Sequence, residues 1–204
     1  MRTAPRHWVG IVGAATLGAV VAAWCLAARV GAAAPADAPP ALPAAPAPPA
    51  SAPGVFPAAW AGHWKGPARI VGGASETAFA MELVVAPTDD PARWTWTIVY
   101  DGAAGRQTRP YTLVVTDAAA GRYEVDEGGG VRIAHRLLDG ALWSHFEVGG
   151  TRLTTRERVE GAGTPDERLT VEIVTARASA EPGARGVTSF PVGTLQTATL
   201  RRAR

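Results

Sequence analysis

Cysteine is almost missing: the one Cys, Cys25, lies among the apolar residues near the N-terminus. That excludes an intramolecular disulfide framework and a cysteine-based zinc site. Lysine is equally scarce, with Lys65 the one lysine among 20 basic residues. The arginine excess, beside so much alanine, reads as base composition rather than a demand for guanidinium chemistry. Charge of one sign is lacking too. The chain carries 20 basic and 18 acidic side chains. Arg2, Arg6, Arg29 and Asp37 belong to the N-terminal part, so residues 56–204 are balanced. Nucleic-acid binding needs clustered Lys and Arg to displace phosphate counterions. Arg201, Arg202 and Arg204 are only a short basic tail. Also absent are a G-x-S-x-G elbow, an H-E-x-x-H helix and a phosphate loop. With no base–nucleophile pair at fixed spacing, no reaction can be written. The expectation is a protein that is not an enzyme, with no catalytic residues, no metal and no cofactor.

What is present falls into three parts. Trp8–Ala28 is uncharged and follows Arg2 and Arg6. A helix of that length, rising about 1.5 Å per residue, spans a hydrocarbon core of about 30 Å. It also fits a signal peptide with a long apolar region. Small residues stand at cleavage spacing in Val30-Gly31-Ala32 and in Ala34-Pro35-Ala36. Residues 1–30 therefore read as a signal peptide or a membrane anchor, with the bulk of the chain exported on either reading. Trp24 before Cys25 is too bulky for a lipidation signal. The destination is periplasmic or extracellular, with residues 8–28 as an inner-membrane anchor if uncleaved. Residues 31–55 hold eight prolines among alanines. They read as a disordered Pro/Ala-rich linker, extended and polyproline-like.

Residues 56–204 follow a two-residue rhythm. Phe79, Met81, Leu83 and Val85 alternate with small or polar residues. So do Trp94, Trp96, Ile98 and Tyr100, and then Tyr111, Leu113 and Val115. Short Gly- and Asp-bearing turns separate further strands around 123–125, 131–137, 142–148, 153–159, 169–173 and 194–200. With the segment around Trp64, ten strands are expected, and no convincing helical face follows position 55. Short turns imply sequential antiparallel pairing. Ten such strands leave exposed edges unless the sheet closes. The expected fold class is all-β: an antiparallel up-and-down β-barrel of about ten strands, preceded by an apolar helix and the tether. A sandwich is the alternative. Pro110 implies an edge, a bulge or a strand start within the fourth strand.

The opening Trp60-Ala61-Gly62-His63-Trp64-Lys65-Gly66 resembles the G-x-W signature of the lipocalin and calycin barrels. The resemblance implies that Trp64 plugs the closed end and that Arg201 or Arg202 packs across it. The remainder of the domain resembles a group of uncharacterised exported bacterial proteins. The residues that carry this are Met81-Glu82-Leu83, Pro87-Thr88-Asp89-Asp90-Pro91, Arg93-Trp94-Thr95-Trp96-Thr97-Ile98, Arg109-Pro110-Tyr111 and Leu200-Arg201-Arg202. That likeness implies a fold and no established activity.

Polar residues that share the inward phase are Arg109, Tyr111, Tyr123, His135, Ser144, Glu157 and Gln196. A purely structural core would place aliphatics there, although residues at a barrel mouth simply meet water. Arg109 and Glu157 are costly to bury singly and tolerable as a pair. Trp94, Trp96, Tyr100 and Tyr111 share one face and serve either as core or as pocket wall. The candidate ligand-binding residues are Trp94, Trp96, Arg109, Tyr111, Tyr123, His135 and Glu157. His135 is also the one residue considered as a haem ligand, because the nitrobindin family holds haem by one His in a similar barrel. Only the Gly-x-Trp-x-Gly opening matches that family. Glu124, Asp126 and Glu127, beside a Gly-rich turn, read as a solvated charge run. His63 and His145 fall on the outward phase. The functional expectation is a monomeric exported barrel that binds a small apolar or lipid-like ligand, with Arg109 available to an anionic headgroup. The alternative is an envelope interaction protein with a filled barrel.

Overall fold

The two-residue rhythm appears as ten long strands in the computed structural model, which describes residues 55–203. The expected leader helix and almost all of the expected tether lie outside the described residues. The strands are β1 Gly62–Gly72, β2 Ser75–Pro87, β3 Arg93–Gly102, β4 Gly105–Asp117, β5 Arg122–Gly128, β6 Val131–Leu138, β7 Ala141–Val148, β8 Thr151–Glu160 and β9 Arg168–Arg177. A minor hairpin, β10 Glu181–Pro182 and β11 Thr188–Ser189, occupies the long Ala/Gly/Pro loop, and β12 Val192–Arg202 ends the series. The only helical elements among the described residues are 3-10 turns at Ala58–Trp60 and Ala184–Gly186.

Each long strand pairs antiparallel with its sequence neighbours, and β12 returns to β1 through Trp64↔Arg202 and Ala68↔Ala198. The sheet is a closed barrel, so neither rim is left as an unpaired edge. A sandwich is excluded by that closure. Pro110 costs little. It pairs with Thr97 on one side, while on the other the β4–β5 ladder ends at Thr112↔Asp126. Its missing N–H therefore falls where no ladder bond is required.

The barrel is filled at one end. Trp64 is fully buried, and Leu83, Val85, Leu113, Leu142, Leu169 and Leu200 are at most 1% exposed. Phe56 and Trp60 lie against this end from the entering segment. Phe56 stands edge-on to Tyr123 at 4.8 Å, and Trp60 is 6.4 Å from Trp96. The Trp64 indole N–H donates to the Trp60 carbonyl at 2.9 Å. The Arg202 guanidinium sits over the Trp64 ring at 4.2 Å. Of the two arginines that the calycin resemblance offered, Arg202 takes the place. Its side chain also donates to the carbonyls of Ala61 and Ala59 and to the Glu167 carboxylate. Gly62 is required here: its φ is 145°, and a Cβ would stand 2.5 Å from Arg202 Nη1.

Candidate functional site

The other end of the barrel is built differently. Strand parity carries the inward phase from the buried Met81, Trp96, Tyr111, Tyr123, Thr155, Val171 and Ala198 toward the opposite rim. The inward positions reached are Phe79, Ile98, Tyr100, Gln107, Arg109, Glu127, Phe146, Ile173 and Gln196. All of these keep partial exposure although they point into the barrel, and so does Glu157 below them. An inward side chain that still meets solvent borders a hollow rather than packed core. The barrel is therefore tightly packed at one end and less completely filled, a partial hollow, at the other, where Leu153, Thr175 and Ile133 remain buried in the wall.

The hollow half gathers polar groups from six strands. Arg109 donates to the Gln107 side chain at 3.1 Å. It is also hydrogen-bonded to Tyr111, whose hydroxyl in turn bonds the Glu127 carboxyl. Burial lifts Glu127 to about 7, against the pull of the Arg109 charge and that hydrogen bond. Burial also pushes the Tyr111 hydroxyl well above the ordinary phenol range, and the Glu127 charge pushes the same way. Tyr100, opposite Gln107 in the β3–β4 ladder, bonds the Gln196 side chain across the barrel. Burial raises Tyr100 to about 12, and Arg109, Glu157 and Glu127 all act on it electrostatically. Glu157 is raised by burial to about 8, although its carboxyl accepts from the Thr155 hydroxyl and from its own backbone N–H. Thr155 in turn shares a 2.8 Å hydrogen bond with Ser144. Two polar atoms here, Glu157 Oε2 and Gln196 Nε2, are inaccessible to water and have no hydrogen-bond partner.

The sequence-predicted residues do not all stand together. Arg109, Tyr111 and Glu157 stand together with Gln196 in the hollow. Trp96 and Tyr123 belong to the aromatic cap, packed against Trp60 and Phe56. Trp94 is 8% exposed, with an unpartnered buried indole N–H. His135 is buried on the inward face. Its Nδ1 bonds the Ile133 carbonyl at 2.9 Å, and burial lowers its pKa, which favours the neutral ring. Among the described residues no three ligating side chains cluster around a metal position.

Four members of the polar array lie outside the candidate set: Tyr100, Gln107, Glu127 and Gln196, the last of which the sequence marks only as an inward polar residue. In sequence Tyr100 reads as one of the wall aromatics. In sequence Glu127 reads as part of a charge run, yet it shares parity with Tyr123 and Val125. That parity was the available signal. Its two neighbours do face outward, where Glu124 pairs with Arg132 and Asp126 with Arg93 and Arg132. His63 and His145 are on the outer face as expected, bonded to Glu82 at 2.7 Å and to Thr154 at 2.8 Å. That outer face also carries a shallow depression of about 530 Å³ across β5–β8, bordered by Arg122, Arg136, Trp143 and His145.

No family model matches the chain, and no curated protein matches it. Among solved structures it is similar to the S-type phycobiliprotein lyase CPES from Guillardia theta. The two are 13% identical over 72% of this chain and 89% of that one, with a TM-score of 0.49. It is also similar to Rv2717c from M. tuberculosis, 13% identical over 74% of this chain and 99% of that one, with a TM-score of 0.38. At these scores neither neighbour speaks to ligand or activity; the barrel closure and the Trp64–Arg202 plug stand on the chain's own geometry.

Proposed function

We propose that this chain is an exported, monomeric binding module that takes a small, largely apolar molecule into the open half of its barrel. One observation carries the reading: inward-facing residues are buried throughout the plugged end, whereas at the other end most of them, Leu153, Thr175 and Ile133 apart, keep partial exposure. Core built for stability alone would be filled throughout. Phe79, Ile98, Phe146 and Ile173 supply apolar wall, and Arg109 supplies a permanent positive charge for an anionic headgroup. Sites of this kind combine mostly apolar lining with a few converging polar groups. The chemistry is capture and release, with no bond-making step. Export is supported by Arg2 and Arg6 ahead of the uncharged Trp8–Ala28 run and by the proline-rich segment after it. The domain then works in the periplasm or outside the cell, touching a membrane only through residues 8–28 if these are retained.

The test is native mass spectrometry of the protein purified from its own cell envelope, paired with titration of an apolar fluorescent dye. The expected result is a ligand-bound species, or dye binding that natural lipid extract reverses. A ligand-free protein that binds no dye overturns the proposal and leaves the filled-barrel interaction protein in its place.

A further inference from the structure

The hollow contains an unmet hydrogen-bonding demand. Glu157 Oε2 and Gln196 Nε2 are shielded from water and bonded to nothing. A buried polar group left this way costs about 1–3 kcal/mol, and native proteins rarely carry one without a reason. The two groups approach Tyr100 from β8 and β12. Tyr100 bonds the Gln196 side chain and feels the Glu157 charge. Gln196 Nε2 has no hydrogen-bond partner, which leaves its N–H₂ as a spare donor. One Glu157 oxygen is served by Thr155 and the backbone. Glu157 and Gln196 are each half-buried as residues. A turn about the soft terminal torsion brings either orphan atom to face the hollow.

We infer that Gln196, Glu157 and Tyr100 form a subsite that reads a carboxylate at the inner end of the ligand, with Arg109 supplying the compensating charge. The inference rests on the proposed reading of the barrel as a ligand-binding module. The sign of the site selects the ligand class. Arg109 is the one permanently charged group in the cluster, and the charged or titratable groups around it are Tyr100, Tyr111, Glu127 and Glu157. Both carboxyls are shifted toward their neutral forms at pH 7. A neutral Glu157 offers an O–H, so the two orphan atoms become two donors beside a cation. A carboxylate accepts from both. An ammonium group meets two donors and a guanidinium, and finds no acceptor among the orphan atoms.

The test compares three probes with one alkyl chain, octanoate, octanamide and octylammonium, each titrated into the full-length protein at pH 7 by calorimetry or ligand-observed NMR. Octanoate is expected to bind at least about tenfold tighter than either of the others, as expected for one additional charge-assisted hydrogen bond. Gln196→Leu and Glu157→Leu are each expected to shrink that preference while leaving octanamide affinity within about twofold. Glu157→Gln, which keeps a donor at the same place, retains it. Equal binding of the three probes, or preference for octylammonium, overturns the carboxylate subsite while leaving the binding barrel standing. Binding of none overturns both. Preference for octanoate that survives Gln196→Leu and Glu157→Leu moves the headgroup elsewhere in the hollow and overturns the assignment.

Discussion

At the scale of single residues, the interior carboxyls give the domain an unusual pH response. Three carboxyls on the outer surface are held low. Asp126 is lowered by the Gly128 backbone N–H and by nearby arginines, and Glu167 by Arg202. Burial acts to raise Glu82, but hydrogen bonds from His63 and Arg106 outweigh it and its pKa is lowered too. Such groups stabilise the fold above the ordinary carboxylate range and lose that contribution as pH falls into it. Glu127 and Glu157 run the other way, raised to about 7 and about 8. Between their unfolded and folded pKa values the native state holds more protons than the unfolded chain, so stability falls as pH rises. His135 is lowered, so it costs stability as pH falls through and below about 6.5. The carboxyls therefore act unopposed from about pH 6.5 to about 8. Denaturant unfolding at pH 6.5 and pH 8.5 is expected to show lower stability at the higher pH. Glu157→Gln, which cannot ionise, is expected to flatten most of that slope. An unchanged slope in the variant would place the titration elsewhere. Glu157 was legible as an inward polar residue because strand parity is strict. Its demand for a partner was not, because that depends on which strands meet across the barrel.

At the scale of elements, all ten strands were legible, since alternation of apolar and polar residues follows directly from half-buried pleating. Closure was legible as well, from the cost of unpaired rims. Irregular pairing was hidden. β5 and β6 shift register between Asp126 and Gly128, and Glu127 falls within that irregularity. No local pattern marks such a shift, since Gly128-Gly129-Gly130 reads equally well as a plain turn. The weakest seam was equally invisible. β6 and β7 share only the pairs from His135↔Ser144 to Leu138↔Ala141. Above them Val131–Ala134 pair only toward β5, and His145–Val148 only toward β8. The wall thus parts on one side of the hollow end. Local opening follows the sparsest hydrogen bonding. Native-state hydrogen exchange is expected to be fastest, among amides of the long strands, in the upper halves of β6 and β7. It should be slowest in β1, β2, β9 and β12 around the plug. Uniform protection along β6 and β7 would show the seam to be closed in solution.

At the scale of the whole molecule, Arg202 joins parts of the chain that lie far apart in sequence. It leaves the end of β12, covers the Trp64 ring from β1, bonds the carbonyls of Ala59 and Ala61 in the entering segment, and pairs with Glu167 in the turn before β9. The β12–β1 ladder carries the largest loop-closure entropy of the barrel, because the two strands sit at opposite ends of the domain sequence. Contacts that hold this joint therefore act on closure itself, not on one corner. Arg202 is about one-third exposed, so its ion pair with Glu167 is screened and adds little. The carbonyl bonds and the stacking over Trp64 carry most of the effect. Arg202→Met keeps an apolar cover on the indole and removes every polar bond, and it is expected to cost about 1–3 kcal/mol. Arg202→Lys keeps the charge over the ring without the planar fork, and should fall between Met and the native residue. Because a barrel has no independent edge, the loss should appear as one cooperative shift. Tryptophan fluorescence and far-UV circular dichroism should then give the same lowered midpoint in denaturant. Separate midpoints, with fluorescence shifting alone, would mean that the plug frays locally while the ladder holds the barrel shut without it.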